Sequence, residues 1–456
     1  MSSKSFAVFC LLALTAAWTA LPAAAETLLF EGARIIPGDV SPAIEDGALL
    51  VDGNTVSRVG RKGEVALPEG ARRVDVNGKT IMPALVSAHV HPGFQRGLSY
   101  SAQNFTRDTV MDDLNRALYS GISTVMSLGV EKGDVLYDIR SAQAEDRLGG
   151  ARLLLAGRGI GAPNAGPGAA AFANIAYAIT TEEQALHAVH ELASRHVNGI
   201  KIWVDDRGGR APSLPLKLSR TVIDEGHRLG FKVSAHIYYH KDAVELAAAG
   251  IDNFAHLVRD TVMSDQLIAT MVEKGISVMP NLGFPERSTH TAVPAWFDEP
   301  GLTRLLADTE PADVIARMRA SFTSRDEATA ARAGAIYANL QKSVAKLAAA
   351  HARIILGSDT GLEDHPFGFA EHLELQLMAE AGMTPAEVVV AATSRAAAFL
   401  GLGDRGVIAP DRRADLLVLD ANPLDDIRNT RRIAALYIAG KEVDRTALRA
   451  ALRAGN

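Results

Sequence analysis

Three things are scarce in this 456-residue chain: thiols, an excess of positive charge and long apolar runs. Cys10 is the single cysteine. Disulfide staples are therefore excluded, and no metal can be held by paired thiolates. Lysine and arginine total 47 against 53 aspartates and glutamates, a formal charge of −6 with no basic cluster. That balance argues against a nucleic-acid surface. Beyond Ala25 every apolar run is broken by charge, and none approaches the roughly 20 residues that a membrane-spanning helix needs. What is present is core-forming material. Hydrophobic residues make up 48% of the chain, enough to fill one large domain and a small satellite.

Met1–Ala25 reads as an export signal. Lys4 supplies the positive start, Phe6–Leu21 is almost wholly apolar, and Ala23-Ala24-Ala25 puts small residues before Glu26. Cleavage after Ala25 would remove Lys4, the one charge in the segment, and Cys10, moving the net charge from −6 to −7. The expected location is periplasmic or secreted, with no membrane span in the mature chain.

From Thr27 to about Thr80 short alternating runs (Leu28–Phe30, Gly47–Val51, Val56–Val59) are split by turn chemistry at Asp52-Gly53-Asn54 and Pro68-Glu69-Gly70. Ala414–Asp420 and Ile433–Ile438 have the same texture. Between these strand-rich ends, strand-like runs alternate with helical patterns, the signature of parallel βα units. Candidate strands are Ile81–His91, Ile122–Leu128, Ala151–Ala156, Gly199–Val204, Lys232–Ile237, Asn253–Leu257, Ile276–Leu282 and Arg353–Asp359, a number that matches a closed barrel. Thr181 and Thr384-Pro385 open helices, and Gly382 and Gly401 fit helix ends. Gly283 to about Ala333 is a long proline-bearing connection, read as a lid over the C-terminal face.

The chemistry-bearing residues sit in or at the end of those strands. His89 and His91, two apart at the end of Ile81–His91, point to one side of a strand and can reach one ion. Lys201 lies within the apolar run Gly199–Val204, where a bare ammonium is costly. His236 and His256 stand in or at the end of runs one βα unit apart, and Asp359 closes Ile354–Asp359. Taken singly, Lys201 could snorkel from a strand end, the two histidines could be hydrogen-bonded core residues, and Asp359 could be a helix cap.

In that order, His89, His91, Lys201, His236, His256 and Asp359, the set resembles the amidohydrolase superfamily, over about Thr27 to Asp444. The resemblance is to its binuclear branch, related to Xaa-Pro dipeptidase and imidazolonepropionase. It implies a (β/α)8 TIM-type barrel over 81–400, flanked by a small β-sandwich from 26–80 and 401–456, following the signal peptide read over 1–25. It also implies two divalent metals, zinc above others, bridged by a carbamylated Lys201 and sharing a hydroxide. His89, His91 and Asp359 would serve the first metal and His236 and His256 the second, with Asp359 also moving the proton. Two departures stand in the sequence. The lead to His89 reads Ala84-Leu85-Val86-Ser87 where the family has Gly-Leu-Ile-Asp. The loop Gly157–Gly168 lacks the histidine that peptide-cleaving relatives carry, so Arg158 or Asn164 is a candidate to polarise the carbonyl. Trp203 and Tyr238 share strand parity with Lys201 and His236 and are candidate pocket walls.

The expected activity is hydrolysis of an amide-type C–N bond in a small substrate, a dipeptide or an N-acyl amino acid. Cyclic-amide, deaminase and lactone hydrolysis on the same barrel remain open, as does an inactive binding protein. Whether the chain forms a homo-oligomer is not written in it.

Overall fold

The computed structural model describes residues 26–131, 133–166, 168, 170–172 and 174–454. The export segment lies outside the described residues. Both ends of the described chain meet in one mixed sheet. Its strands run in the order Lys441–Glu442, Ile433–Ile438, Leu416–Leu419, Thr80–Pro83, Thr27–Ile35, Ile44–Asp52 and Thr55–Arg61, with Arg72–Asp75 also paired to Thr27–Ile35. Alternation in Leu28, Phe30, Leu49, Val51, Leu416 and Val418 puts these side chains in one buried layer, where the Phe30 and Tyr437 rings meet edge to face at 4.9 Å.

Apart from the short antiparallel pair Gln95–Arg96 and Ser99–Tyr100, the other strands are parallel. The first, second and third (Leu85–Val90, Ile122–Ser127, Arg152–Leu155) form one ladder. After the third, Ile160–Gly161 pairs with the fourth, Ile200–Val204. The ladder continues through Val233–Ile237, Asn253–Phe254, Ser277–Val278 and Arg353–Ile354, the fifth to the eighth strands. Backbone bonds also link the first strand to the chain beyond the eighth. Ala88 N–H donates to the Leu356 carbonyl at 2.9 Å, and His91 N–H to that of Thr360 at 2.6 Å.

Four runs differ from their sequence reading. The run Ile81–His91 divides at Ala84, because its first half pairs with Leu416–Leu419 and its second half with Ile122–Ser127. The sixth, seventh and eighth strands hold ladder bonds over two residues each. Their remaining residues leave the pleat, with Asn281 (φ 52°) and Asp359 (φ 59°) in the left-handed region. Those turned ends carry chemistry rather than ladder bonds.

Helix punctuation follows the residues. Thr181 and Thr384 close capping boxes with Gln184 and Glu387, opening Glu182–Ser194 and Pro385–Val390. The long connection after the seventh strand is helical: Gly283–Arg287, Pro300–Thr309 and Ala312–Thr323 precede Glu327–Ala349. Trp296, Phe297 and Phe322 pack there with Phe369, at ring separations of 5.5–6.3 Å. No helix among the described residues is long and apolar enough to cross a membrane.

Candidate active site

Strand ends from five positions along the parallel ladder open into one cavity of about 370 Å³. All six residues of the ordered set line it: His89, His91, Lys201, His236, His256 and Asp359. The Asp359 Oδ1 lies 2.8 Å from His91 Nε2 and 3.2 Å from His89 Nε2. The rings of His89 and His256 are 5.2 Å apart, and those of His236 and His256 4.6 Å.

Glycines make this convergence possible. A Cβ on Gly129, at the end of the second strand (φ +100°), would come within 2.8 Å of the Lys201 chain and 2.9 Å of the Trp203 ring. A Cβ on Gly357 would lie 2.9 Å from that of His89. Bare backbone at both places lets neighbouring strands deliver large polar side chains inward.

Burial governs the charges. It holds His89 and His256 neutral, well below the usual imidazole range, and lowers His236 to about 4 against the pull of Asp205. It also brings the Lys201 amine down to about 7, although Asp359 favours its charged form. Burial pushes the Asp359 carboxyl up, but the surrounding histidines, led by His89, outweigh this and hold it well below the carboxylate range. The result is neutral imidazoles, an ionised carboxylate and an amine poised near neutrality.

These residues fit a metal. His89, His256 and Asp359 place one ligand atom each within 4.8 Å of one another. The buried His256 Nδ1 has no hydrogen-bond partner in the protein. The separations of Asp359 from the two imidazoles approach the edge of a tetrahedron around an ion with bonds of about 2.0–2.1 Å.

The substrate-wall candidates divide. Trp203 lines the cavity. Tyr238 does not line it; it lies against Tyr239, with the Arg259 guanidinium 5.9 Å from its ring. Arg158 lies outside, donating to the carbonyls of Ile175 and Ala176 and stacked 4.0 Å over Tyr177. Asn164 is an exposed turn residue outside the cavity (φ 63°).

Other residues of the cavity escaped the sequence reading. Asp205 accepts from His236 Nε2 at 3.2 Å, and its carboxyl is held at about 2: burial raises it, and the His236 bond and charge overcome this. Parity would have found it, since 201, 203 and 205 share one side of the fourth strand. Arg259, Arg207 and Leu362 come from loops, and Phe172 and Phe284 from short helical turns, where no periodicity points inward. Phe284 is the one contribution of the long helical connection to this lining. Behind the cavity, the Asn281 amide meets His89 Nδ1 at 3.3 Å.

The chain is 25% identical over 417 residues to an imidazolonepropionase of Deinococcus radiodurans, covering 88% of this chain and 92% of that protein. It is 23% identical over 414 residues to an enamidase of Eubacterium barkeri, covering 88% of each. Three proteins of Mycobacterium tuberculosis and Mycobacterium bovis align at 28% identity over 210 residues, 45% of this chain and about half (51%) of their own length. Among solved structures, a prolidase-like protein of Bifidobacterium longum superposes with a TM-score of 0.71 at 26% identity, covering 94% of this chain and 99% of that one. A Xaa-Pro dipeptidase superposes at 0.73 and 20% identity, covering 92% and 100%, which speaks for the fold alone. These structures and the family imply a TIM-type barrel for the parallel strands, and the family is generally metal-dependent. Residues 80–443 match the Amidohydrolase family, and the chain belongs to it.

Proposed function

We propose that this protein is an exported, metal-dependent hydrolase that cleaves an amide-type C–N bond in a small substrate, a dipeptide or an N-acyl amino acid. The reading includes closure of the parallel strands into an eight-stranded barrel over 81–400. It also includes a flanking sandwich from 26–80 and 401–456, and a signal peptide over 1–25. His89, His91, Lys201, His236, His256 and Asp359 would hold two divalent ions, zinc in our reading, with Lys201 carbamylated between them. The observation that carries it is the convergence of all six side chains on one cavity, with His89, His236 and His256 held neutral and Asp359 ionised.

A lysine amine near neutrality is partly unprotonated at physiological pH and can attack carbon dioxide. The new N–C bond gives a carbamate and releases one proton, replacing a buried cation by an anionic oxygen pair. When bound, the ions would supply a water-derived nucleophile at neutral pH and polarise the scissile carbonyl. Asp359 would serve as the base and would return the proton to the departing nitrogen. Asp205 orients the His236 ring through its 3.2 Å hydrogen bond. Trp203, Phe172 and Leu362 exclude bulk water from the reacting bond.

The test joins elemental analysis of the purified protein to a hydrolysis screen over dipeptides, N-acyl amino acids, lactams and lactones. Two equivalents of a divalent metal and turnover of the linear amides are expected. Metal-free protein that gains no metal on reconstitution would refute the reading, and turnover confined to lactones would move it to ester chemistry.

A further inference from the structure

Four arginines, Arg140, Arg152, Arg405 and Arg413, line a cavity of about 710 Å³ that shares no residue with the candidate active site. It lies where the parallel strands begin, whereas His89 and His91 stand where the first of them ends. Ser123 and Arg152, at the starts of the second and third strands, belong to one wall. Arg405, Arg413 and Asp415, in the chain leading into Leu416–Leu419, belong to the other. The cavity therefore occupies the seam between the parallel strands and the mixed sheet.

Its positive charges are incompletely matched. Arg405 is buried and gripped by Asp404 through two bonds of 3.0 Å, with its Nη1 3.4 Å from Asp415 Oδ2. Arg413 Nε lies 3.3 Å from Asp415 Oδ1, which already accepts from the Ala439 N–H. Arg413 Nε and Asp415 Oδ2 are both buried without a hydrogen bond. One carboxylate is thus shared between two guanidiniums. Arg140 is turned to the carbonyls of His196 and Arg195 and meets no carboxylate. Arg152 has neither an ion pair nor a side-chain hydrogen bond among the described residues. Burial, and after it the charge of Arg405, weighs against its positive form, so the protein alone does not compensate it.

A second set of donors lies on the same wall. Gly149 and Gly150, just before the third strand, line the cavity, and their N–H groups have no partner among the described residues. Guanidiniums and free backbone N–H groups together are the chemistry that holds oxyanions. Donors from a strand start, a glycine turn and the opposite wall do not share one plane. They suit a tetrahedral oxyanion better than a flat carboxylate. The volume exceeds that of a lone tetrahedral ion, which leaves room for an organic remainder.

We infer that this seam cavity is a second binding site, and that it takes the phosphate group of a small phosphate ester. Arg152 supplies the uncompensated charge, and Arg413 and the glycine turn supply further donors. Such a ligand joins the third strand to the approach to Leu416–Leu419. It therefore holds the mixed sheet against the parallel strands and takes no part in hydrolysis. The inference does not depend on which bond the active site cleaves.

The experiment titrates the intact holoenzyme with glycerol 3-phosphate, inorganic phosphate and acetate at constant ionic strength, for the wild type, Arg152→Met and Arg152→Lys. Calorimetry reads affinity and thermal unfolding reads Tm. Glycerol 3-phosphate should bind the wild type at one equivalent, about tenfold or more tighter than acetate, and raise its Tm. Arg152→Met should weaken that binding about tenfold and abolish the rise in Tm, and Arg152→Lys should restore part of both. Metal content and amide turnover should be the same in all three proteins. Equal affinity for acetate, no binding at all, or binding that survives Arg152→Met would overturn the inference. Binding that survives Arg152→Met but is lost on metal removal would place the phosphate in the active cavity instead. Inorganic phosphate binding as tightly as the ester would overturn the assignment of an ester.

Discussion

Asp359 occupies a left-handed turn (φ 59°) with its carboxylate between two imidazoles, a conformation its neighbours must enforce. Asp359→Asn preserves shape and one ligand oxygen but removes the base. Turnover should fall about 10²–10⁴-fold, with metal retained at least in part. The acid limb of the pH–rate profile should vanish or move, and an unchanged profile would assign the proton to another group. Asn281 offers a second test. Its buried Oδ1 has no partner, while its Nδ2 faces His89 Nδ1. Turning the amide over pairs Oδ1 with an Nδ1–H and leaves the His89 Nε2 lone pair free for an ion. Asn281→Leu should therefore weaken metal affinity about 10–100-fold, measured by chelator competition, with Asn281→Asp closer to the wild type.

At the scale of the element, helix Phe369–Glu380 carries almost no exposed side chain before its last turn. His372 on it is 1% exposed and bonds the Ser120 carbonyl at 2.9 Å and the Thr430 hydroxyl at 3.1 Å. Burial, assisted by Arg431, lowers its imidazole to about 3. The folded value lies below the unfolded one, so under acid the unfolded chain takes up the proton first. This contribution to stability is complete above about pH 6.5 and is lost progressively as pH falls towards 3, at about 1.4 kcal/mol per unit. His372→Gln keeps hydrogen-bonding capacity without titrating. Its unfolding free energy should fall less than the wild type's between pH 6.5 and 4.5, by about 2–3 kcal/mol. Parallel denaturant curves for the two proteins across that range would refute the assignment.

The same scale explains what was legible. All eight parallel strands stood out as apolar runs bounded by helical patterns, and all six proposed ligands sat in or at the end of those runs. The sixth strand is clear as a run, but its ladder stops at Phe254, so His256 reaches the cavity from irregular chain that period-2 reasoning cannot describe. Asp205 obeyed the period and was overlooked. Arg259 had no local signal, because only a bond between two loops, from its N–H to the Tyr238 carbonyl, places it. Arg158 and Asn164 were chosen for their loop, and the fold turns that loop's Arg158 outward onto Tyr177.

For the whole molecule, the junction between the mixed sheet and the parallel strands sets stability. Leu417 is fully buried and approaches Gly121, at the entrance of the second strand. Leu417→Ala should cost about 2–5 kcal/mol, read from denaturant midpoints, because packed neighbours refill such a void only partly. A loss below about 1 kcal/mol would mean that the two sheets adjust independently.

A single residue, Ala84, separates Thr80–Pro83 from Leu85–Val90, the strand that leads into His89 and His91. Thr80–Pro83 finds its antiparallel partner only in Leu416–Leu419, more than three hundred residues later. The consequence is one of timing. During synthesis, the segment that leads into the earliest chemistry-bearing strand must wait with one neighbour missing until nearly the whole chain has emerged. Ribosome-bound chains ending before Leu416 should therefore remain unable to retain metal, however complete their list of ligands, and a chain crossing a membrane unfolded would become active only on the far side.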